Sequence, residues 1–291
     1  LLFFLLSTFF VINVMASRAM EDFPTQITYR KFLADAHFDS QQQGVRLLHD
    51  YGAFALYAVA ESSFPKLIAN QTSAIDFAYD LDILWLDAYP FNTQTSFPPS
   101  PSRLESDALS GESLQLIQFV GPIKQEWLTA VSATGAQLVH YVANNGYLVW
   151  TDNSSRAKLD RLIQTKDFLQ FNAPYTSHFK IEPTLKQQTI TNQPQDEIIS
   201  ITVQMLQHPN QQSTETIIDS LAVVTLTPWT SVLQYQNKTI TIKASDINKI
   251  TMLPDVIWVG KSFEPELLDE VQGQILAGAF DANQTGPIAP G

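Results

Sequence analysis

The chain has 291 residues, 45% of them hydrophobic, which is enough apolar material for two or three separate cores. Its 29 acidic residues against 17 basic ones leave a net charge of −12, which argues against nucleic acid and anionic membrane surfaces as partners, since both require clustered cations. Cysteine is absent, and that excludes disulfides, thiolate nucleophiles and cysteine-based metal sites.

The opening stretch "LLFFLLSTFFVINVM" is mostly apolar and is followed by small and polar residues. It has the length of a secretory h-region rather than of a spanning helix, which needs about 20 residues. Residues 1–19 are therefore expected to be a signal peptide with cleavage after Ala16 or Ala19, N-terminally incomplete because the chain starts at Leu1 without a basic segment. The expected location is secreted, extracellular or periplasmic, with no membrane association after cleavage. An apolar anchoring or buried helix is the alternative.

Two stretches, "TSFPPSPS" at 95–102 and "QQTITNQPQDE" at 187–197, combine proline with small polar residues and read as linkers. They cut the chain into thirds. In the first, residues 26–94, "VRLLHDYGAFALYAV" predicts a hairpin and 62–70 a helix, with no first helix legible, so this third reads as a degenerate copy of the other two.

The middle third, residues 112–183, predicts strand 114–120, helix 125–134, strand 137–142, strand 146–150, helix 154–165 and strand 168–171. The first helix places Trp127, Ala130, Val131 and Thr134 on one face, the second Leu159, Leu162 and Ile163. Between the central strands "ANNG" is a turn signal, with Asn145 and Gly146 suited to positive φ.

The last third, residues 197–266, starts with Ile199, Ile201, Val203 and Met205 alternating with polar residues, a half-buried strand. A helix bearing Ile217, Ile218 and Leu221 follows, then a hairpin expected to turn at Gln236–Lys238, with Ile240 and Ile242 alternating against threonines. Ile247 and Ile250 mark a short second helix.

A string of Asp, two apolar residues, a free position and another apolar residue recurs as "DILWL" at 82, "DFLQF" at 167 and "DVIWV" at 255, spaced 85 and 88 apart. Pro122 and Pro209 lie 87 apart, each between an apolar run and a helical pattern. Reading the string as each unit's closing strand gives an α+β fold of tandem ferredoxin-like βαββαβ units, antiparallel sheets each covered by helices on one face. Residues 267–291 remain as a C-terminal tail.

The chemistry is sparse. The histidines, His37, His49, His140, His178 and His208, lack a spacing that would set two ligands on one helix face, and each reads as a surface or strand residue. There is no G-x-S-x-G, Walker or G-x-G-x-x-G segment. The acidic pairs Asp80/Asp82 and Asp269/Glu270 stand where capping and solvation explain them. Sequons at Asn70, Asn153, Asn237 and Asn283 matter only in a eukaryotic secretory host. No catalytic residue, metal or cofactor is expected. Trp85, Trp127, Trp150, Trp229 and Trp258 are read as core, with a carbohydrate platform as the alternative should several prove exposed and coplanar.

The stretches 116–149 ("LIQFVGPIKQEWLTAVSATGAQLVHYVANNGYLV"), 47–59 ("LLHDYGAFALYAV") and 269–278 ("DEVQGQILAG") resemble the long N-terminal region that precedes the catalytic domain of some secreted bacterial subtilisin-like serine peptidases, a likeness running from about residue 44 to 280. The resemblance implies a pro-region on the βαββαβ propeptide fold, acting as intramolecular chaperone and temporary inhibitor. The implied partner is a subtilisin-like catalytic domain in cis, expected to follow Gly291, and the implied state is a monomer. The chain has no D-[ST]-G, H-G-T or G-T-S segment, so no catalytic residue transfers. The tail residues Gln272, Gly273, Gln274, Ile275, Leu276, Ala277 and Gly278 are small or slender and suited to lie extended in the peptidase cleft. Two other readings stand beside this one: a stand-alone secreted or surface protein that binds peptides along its edge strands, and an enzyme whose residues would have to converge in a pocket.

Overall fold

Alternating burial builds the first sheet. On β1 (Tyr29–Asp35), Phe32 and Ala34 turn inward while their neighbours stay partly exposed. The computed structural model describes residues 29–262 apart from 36, 40, 42–43, 70–74, 79, 87–88, 96–110 and 191–195; the expected signal peptide and the tail 267–291 lie outside the described residues. The chain divides after Ala78 into two units.

In the first unit β2 (Val45–Asp50) and β3 (Phe54–Ala60) form a hairpin, α1 (Phe64–Ala69) comes next, and β4 (Ile75–Phe77) closes the sheet. The order is β2-β3-β1-β4 with every neighbouring pair antiparallel. That is the ferredoxin-like 4-1-3-2 arrangement, but among the described residues no helix joins β1 to β2. Phe38, from the loop in that helix's place, packs on Phe32 and Tyr57 with ring centroids 5.3 and 4.9 Å away.

The second unit opens with a separate two-stranded ladder, β5 (Ile83–Leu86) and β6 (Tyr89–Asn92). The recurring string assigns Asp82–Leu86 to the close of the first sheet and a first unit ending at 94; the structure gives the closing role to β4 and corrects that boundary. The cause is burial, because Leu84, Leu86 and Phe91 join the core of the middle sheet.

That middle sheet runs β7 (Ser113–Phe119), α2 (Gln125–Ser132), β8 (Gln137–Val142), β9 (Gly146–Thr151), α3 (Asn153–Thr165) and β10 (Leu169–Pro174), close to the predicted spans. Its order β10-β7-β9-β8 is again 4-1-3-2 and antiparallel throughout. On the helical face Trp127, Phe119 and Phe168 form a three-ring cluster, with Trp127 6.0 Å from Phe119 and 5.5 Å from Phe168. On the other face Leu114, Leu116, Leu148 and Trp150 meet the β5–β6 hairpin and residues of the last sheet. Both faces being covered, every residue of β7 is buried, and its sequence lacks the alternation of a one-sided strand. Buried Gln118 uses both ends of its amide: it accepts from Thr93 (2.6 Å) and Gln170 (2.7 Å) and donates to Asn144 O (2.9 Å), tying hairpin, sheet and turn together. The turn itself differs in detail from expectation, since the positive φ angles fall on Asn144 (65°) and Asn145 (63°), a type I′ pattern, and not on Gly146. Gly146 is glycine for another reason: a Cβ there would lie 2.5 Å from Leu84 Cδ2.

Two short helices, α4 (Ser177–Lys180) and α5 (Pro183–Ile190), lead to the last sheet: β11 (Ile198–Leu206), α6 (Gln212–Leu221), β12 (Val224–Thr225), β13 (Thr230–Val232), β14 (Tyr235–Lys243), α7 (Ile247–Thr251) and β15 (Val256–Lys261). Its order, β12-β14-β11-β15 with β13 also on β14, repeats 4-1-3-2 with the second strand broken in two. Ile201, Val203, Met205, Ile240 and Ile242 point into a core closed by Ile218, Ile247 and Ile250. Ile217, placed on the apolar face by the sequence pattern, is 42% exposed. The hairpin turns at Leu233, φ 54°, and not at Gln236–Lys238, which lie within β14 with Gln236 and Lys238 buried. No helix among the described residues is long and apolar enough to cross a membrane.

Candidate functional site

Period-2 alternation on β5 sends Leu84 and Leu86 inward and leaves Trp85 48% exposed. Trp85 N donates to Ala143 O (3.5 Å), so the hairpin continues the edge of the middle sheet just past β8. β8 in turn exposes Tyr141, at 54%. Opposite stand Tyr175 and Phe179, before and on α4, with Gln204 of β11 and Trp258 of β15 from the last sheet. Together these enclose an open cleft of about 340 Å³ within the second unit. Among the described residues, no Asp, Glu, Lys or Arg lines it.

Several polar groups in the cleft are already committed. Tyr89 Oη donates to Ile181 O (3.2 Å), and Tyr175 Oη lies 3.2 Å from both Phe179 O and Ile257 O. His140 Nδ1 lies 2.9 Å from Tyr235 Oη, which also accepts from Gln234 Nε2 at 2.9 Å. Burial pushes the Tyr235 phenol up and the His140 imidazole down from their ordinary values, so both are neutral. Gln204 donates to Asn237 Oδ1 (3.0 Å), which leaves its amide oxygen unpartnered among the described residues.

Beside the cleft, Lys186 Nζ sits 4.2 Å from the Tyr89 ring centroid and 2.5 Å from His178 Nδ1. Burial, with Lys186 adding to it, pushes His178 down to about 4, and burial pushes Lys186 down to about 8. A second buried group lies where the connector meets the last sheet. Asp255, 1% exposed, accepts from Thr214 Oγ1 (2.7 Å) and His208 Nε2 (2.9 Å), and Lys180 Nζ donates to Leu253 O (2.7 Å). Burial pushes Lys180 down to about 7, against the pull of Asp255. Thr214 and His208 both bind the carboxylate and not each other, so this is not a nucleophile and base in line.

The sequence-level candidates divide. The tail residues 272–278 and the Asp269/Glu270 pair fall outside the described residues. Asp80 and Asp82 use their main-chain oxygens to accept from Asn144 and Thr93 at the base of the hairpin. Trp127 and Trp150 are core, at 4% and 6% exposure, whereas Trp85 and Trp258 are not: they flank the cleft. Trp229 is half-buried and donates to Asp219 (3.2 Å). His208 is no surface residue, its side chain being 8% exposed. Among the described residues no three His, Asp or Glu side chains converge as metal ligands.

A family model described as "Domain of unknown function (DUF8729)" matches residues 71–171. The β5–β6 hairpin and the middle sheet as far as Phe171 lie in that segment. No curated protein and no solved structure matches the chain.

Proposed function

We propose that the chain is the non-catalytic pro-region of a secreted subtilisin-like serine endopeptidase, serving as intramolecular chaperone and temporary inhibitor of a catalytic domain in cis. The observation that carries this reading is the 4-1-3-2 strand order of all three successive sheets, the arrangement of the βαββαβ domain on which such pro-regions are built. The sequence resemblance at 47–59, 116–149 and 269–278 supports it independently. The physics is consistent, because a peptidase domain rich in non-local pairings folds slowly, and a sheet that is already folded lowers the entropic barrier by presenting a surface to assemble on. The chain leaves β15 at Lys261 toward the tail, whose residues 272–278 would lie in the peptidase cleft as an extended, substrate-like strand. The test is to add the chain in trans to a subtilisin-like catalytic domain encoded beyond Gly291 and measure proteolysis and refolding.

The reading as a stand-alone binder through edge strands has one observation in its favour. β12 and β13 form an outer edge of the last sheet, and Val223, Val224, Leu226, Val232 and Leu233 beside it are 51–84% exposed. A coding sequence that stops after Gly291 would select this reading.

A further inference from the structure

We infer that the chain forms a two-fold dimer by antiparallel pairing of β12 with β12 of a second copy, centred on Thr225. β12 lies at the outer edge of the last sheet, where Val223, Val224 and Leu226 are each more than half exposed. Val224 lies opposite Thr241 and Thr225 opposite Ile240 of the core, so Thr225 keeps to the helix-covered side and alternation puts Val224 and Leu226 together on the other. Leu226 N donates to Thr239 O of β14 (2.9 Å), and because main-chain groups alternate in direction along a strand, the N–H and C=O of Thr225 turn to the outside of the sheet. The central residue of an antiparallel two-fold pair exchanges those two groups with its own copy. In that register Val224 faces Leu226 of the second copy and Leu226 faces Val224 of the second copy, so apolar meets apolar on both sides of the axis. Centring on Ser231 of β13 would instead set Thr230 against Val232, a polar residue against an apolar one. Pro228, which has no N–H, separates the two strands and confines the pairing to β12. Charge points the same way. Each copy carries −12, so two copies repel where their acidic surfaces approach, whereas no residue from Ser220 to Asn237 is charged.

The dimer departs from the monomer that the sequence resemblance implies and does not depend on the pro-region reading. Its test is sedimentation equilibrium of the full chain up to about 100 μM, in about 0.15 M salt to screen the net charge. A monomer–dimer equilibrium is expected. Leu226→Glu should weaken it at least about tenfold, because a carboxylate then stands against Val224 of the second copy. Adding Val224→Lys to that variant should restore it, since each introduced carboxylate then faces an introduced ammonium across the axis. Both side chains are about half exposed, so these changes leave the core filled, and circular dichroism checks that the variants fold. Leu47→Glu, an equally exposed leucine on the edge strand of the first sheet, should associate as the parent does. The proposal is overturned if the chain stays monomeric, which leaves this edge to a different partner. It is also overturned if Leu226→Glu leaves association unchanged, if Leu47→Glu lowers it as much, or if Val224→Lys fails to restore it.

Discussion

The six-membered ring of Trp258 crowds Gly260, so close that a Cβ on residue 260 would sit 1.9 Å from it. The two residues share one face of β15, where the missing side chain of one makes room for the ring of the other at the wall of the cleft. Gly260→Ala should therefore displace the ring and cost about 1–3 kcal/mol of stability. Denaturant unfolding combined with tryptophan emission checks both. Unchanged emission and midpoint would mean that the ring does not rest on residue 260.

Leu84 joins the β5–β6 hairpin to the middle sheet against Gly146 and is completely buried. Leu84→Ala should cost about 2–5 kcal/mol, the transfer term plus the cavity left between two packed layers. Urea unfolding measures it. A loss below about 0.5 kcal/mol, the size of a surface change, would show that the hairpin is not part of that core.

Lys180 sets a pH dependence. Burial holds its folded-state pKa at about 7, while in the unfolded chain it returns to the ordinary lysine value of about 10.4. Between those values the unfolded state binds more protons, so stability is lowest on the acid side of the window and rises with pH through it. Lys186, at about 8, adds to the rise over the upper part of the window. Unfolding midpoints at about pH 6, 8 and 9.5 should increase in the parent and increase less in Lys180→Met. An equal slope in both proteins would place the effect elsewhere.

Leu233 takes a left-handed backbone at φ 54° while 84% exposed, a conformation that costs a residue with a Cβ roughly 1–2 kcal/mol. Glycine relieves that strain but loses more entropy on folding, so Leu233→Gly should gain up to about 1 kcal/mol. Thermal unfolding reads the sign, and a destabilised variant would show that the leucine side chain packs at the turn.

How far the sequence reveals this molecule depends on the range of each signal. The middle and last sheets are legible because their cores lie on regular faces: Trp127 and Val131 on one helix, Ile201, Val203 and Met205 on one strand. The turn at Leu233 is not, since leucine carries no turn signal and Asn237, which does, lies within β14. The β5–β6 hairpin is hidden for a related reason. "DILWL" has the local pattern of a closing strand, and only its contacts with Leu114 and Leu148 reveal which sheet it serves. The cleft is the extreme case, drawing on residues 85, 140–141, 175–179, 204 and 258, whose proximity exists only after two sheets have packed. Trp85 and Trp258 sit in strand patterns that could equally mark core, and their exposure is decided by what the fold places beside them. The same holds for Lys180 and Asp255, whose burial no local pattern announces.

The central claim is tested most directly by refolding. A denatured subtilisin-like catalytic domain encoded beyond Gly291 is diluted into buffer with and without this chain, and peptidase activity is followed as the chain is slowly degraded. The pro-region account predicts little activity at first, then recovery well above that of the domain refolded alone. Equal recovery in both samples, with an active peptidase left uninhibited by the chain, would contradict it.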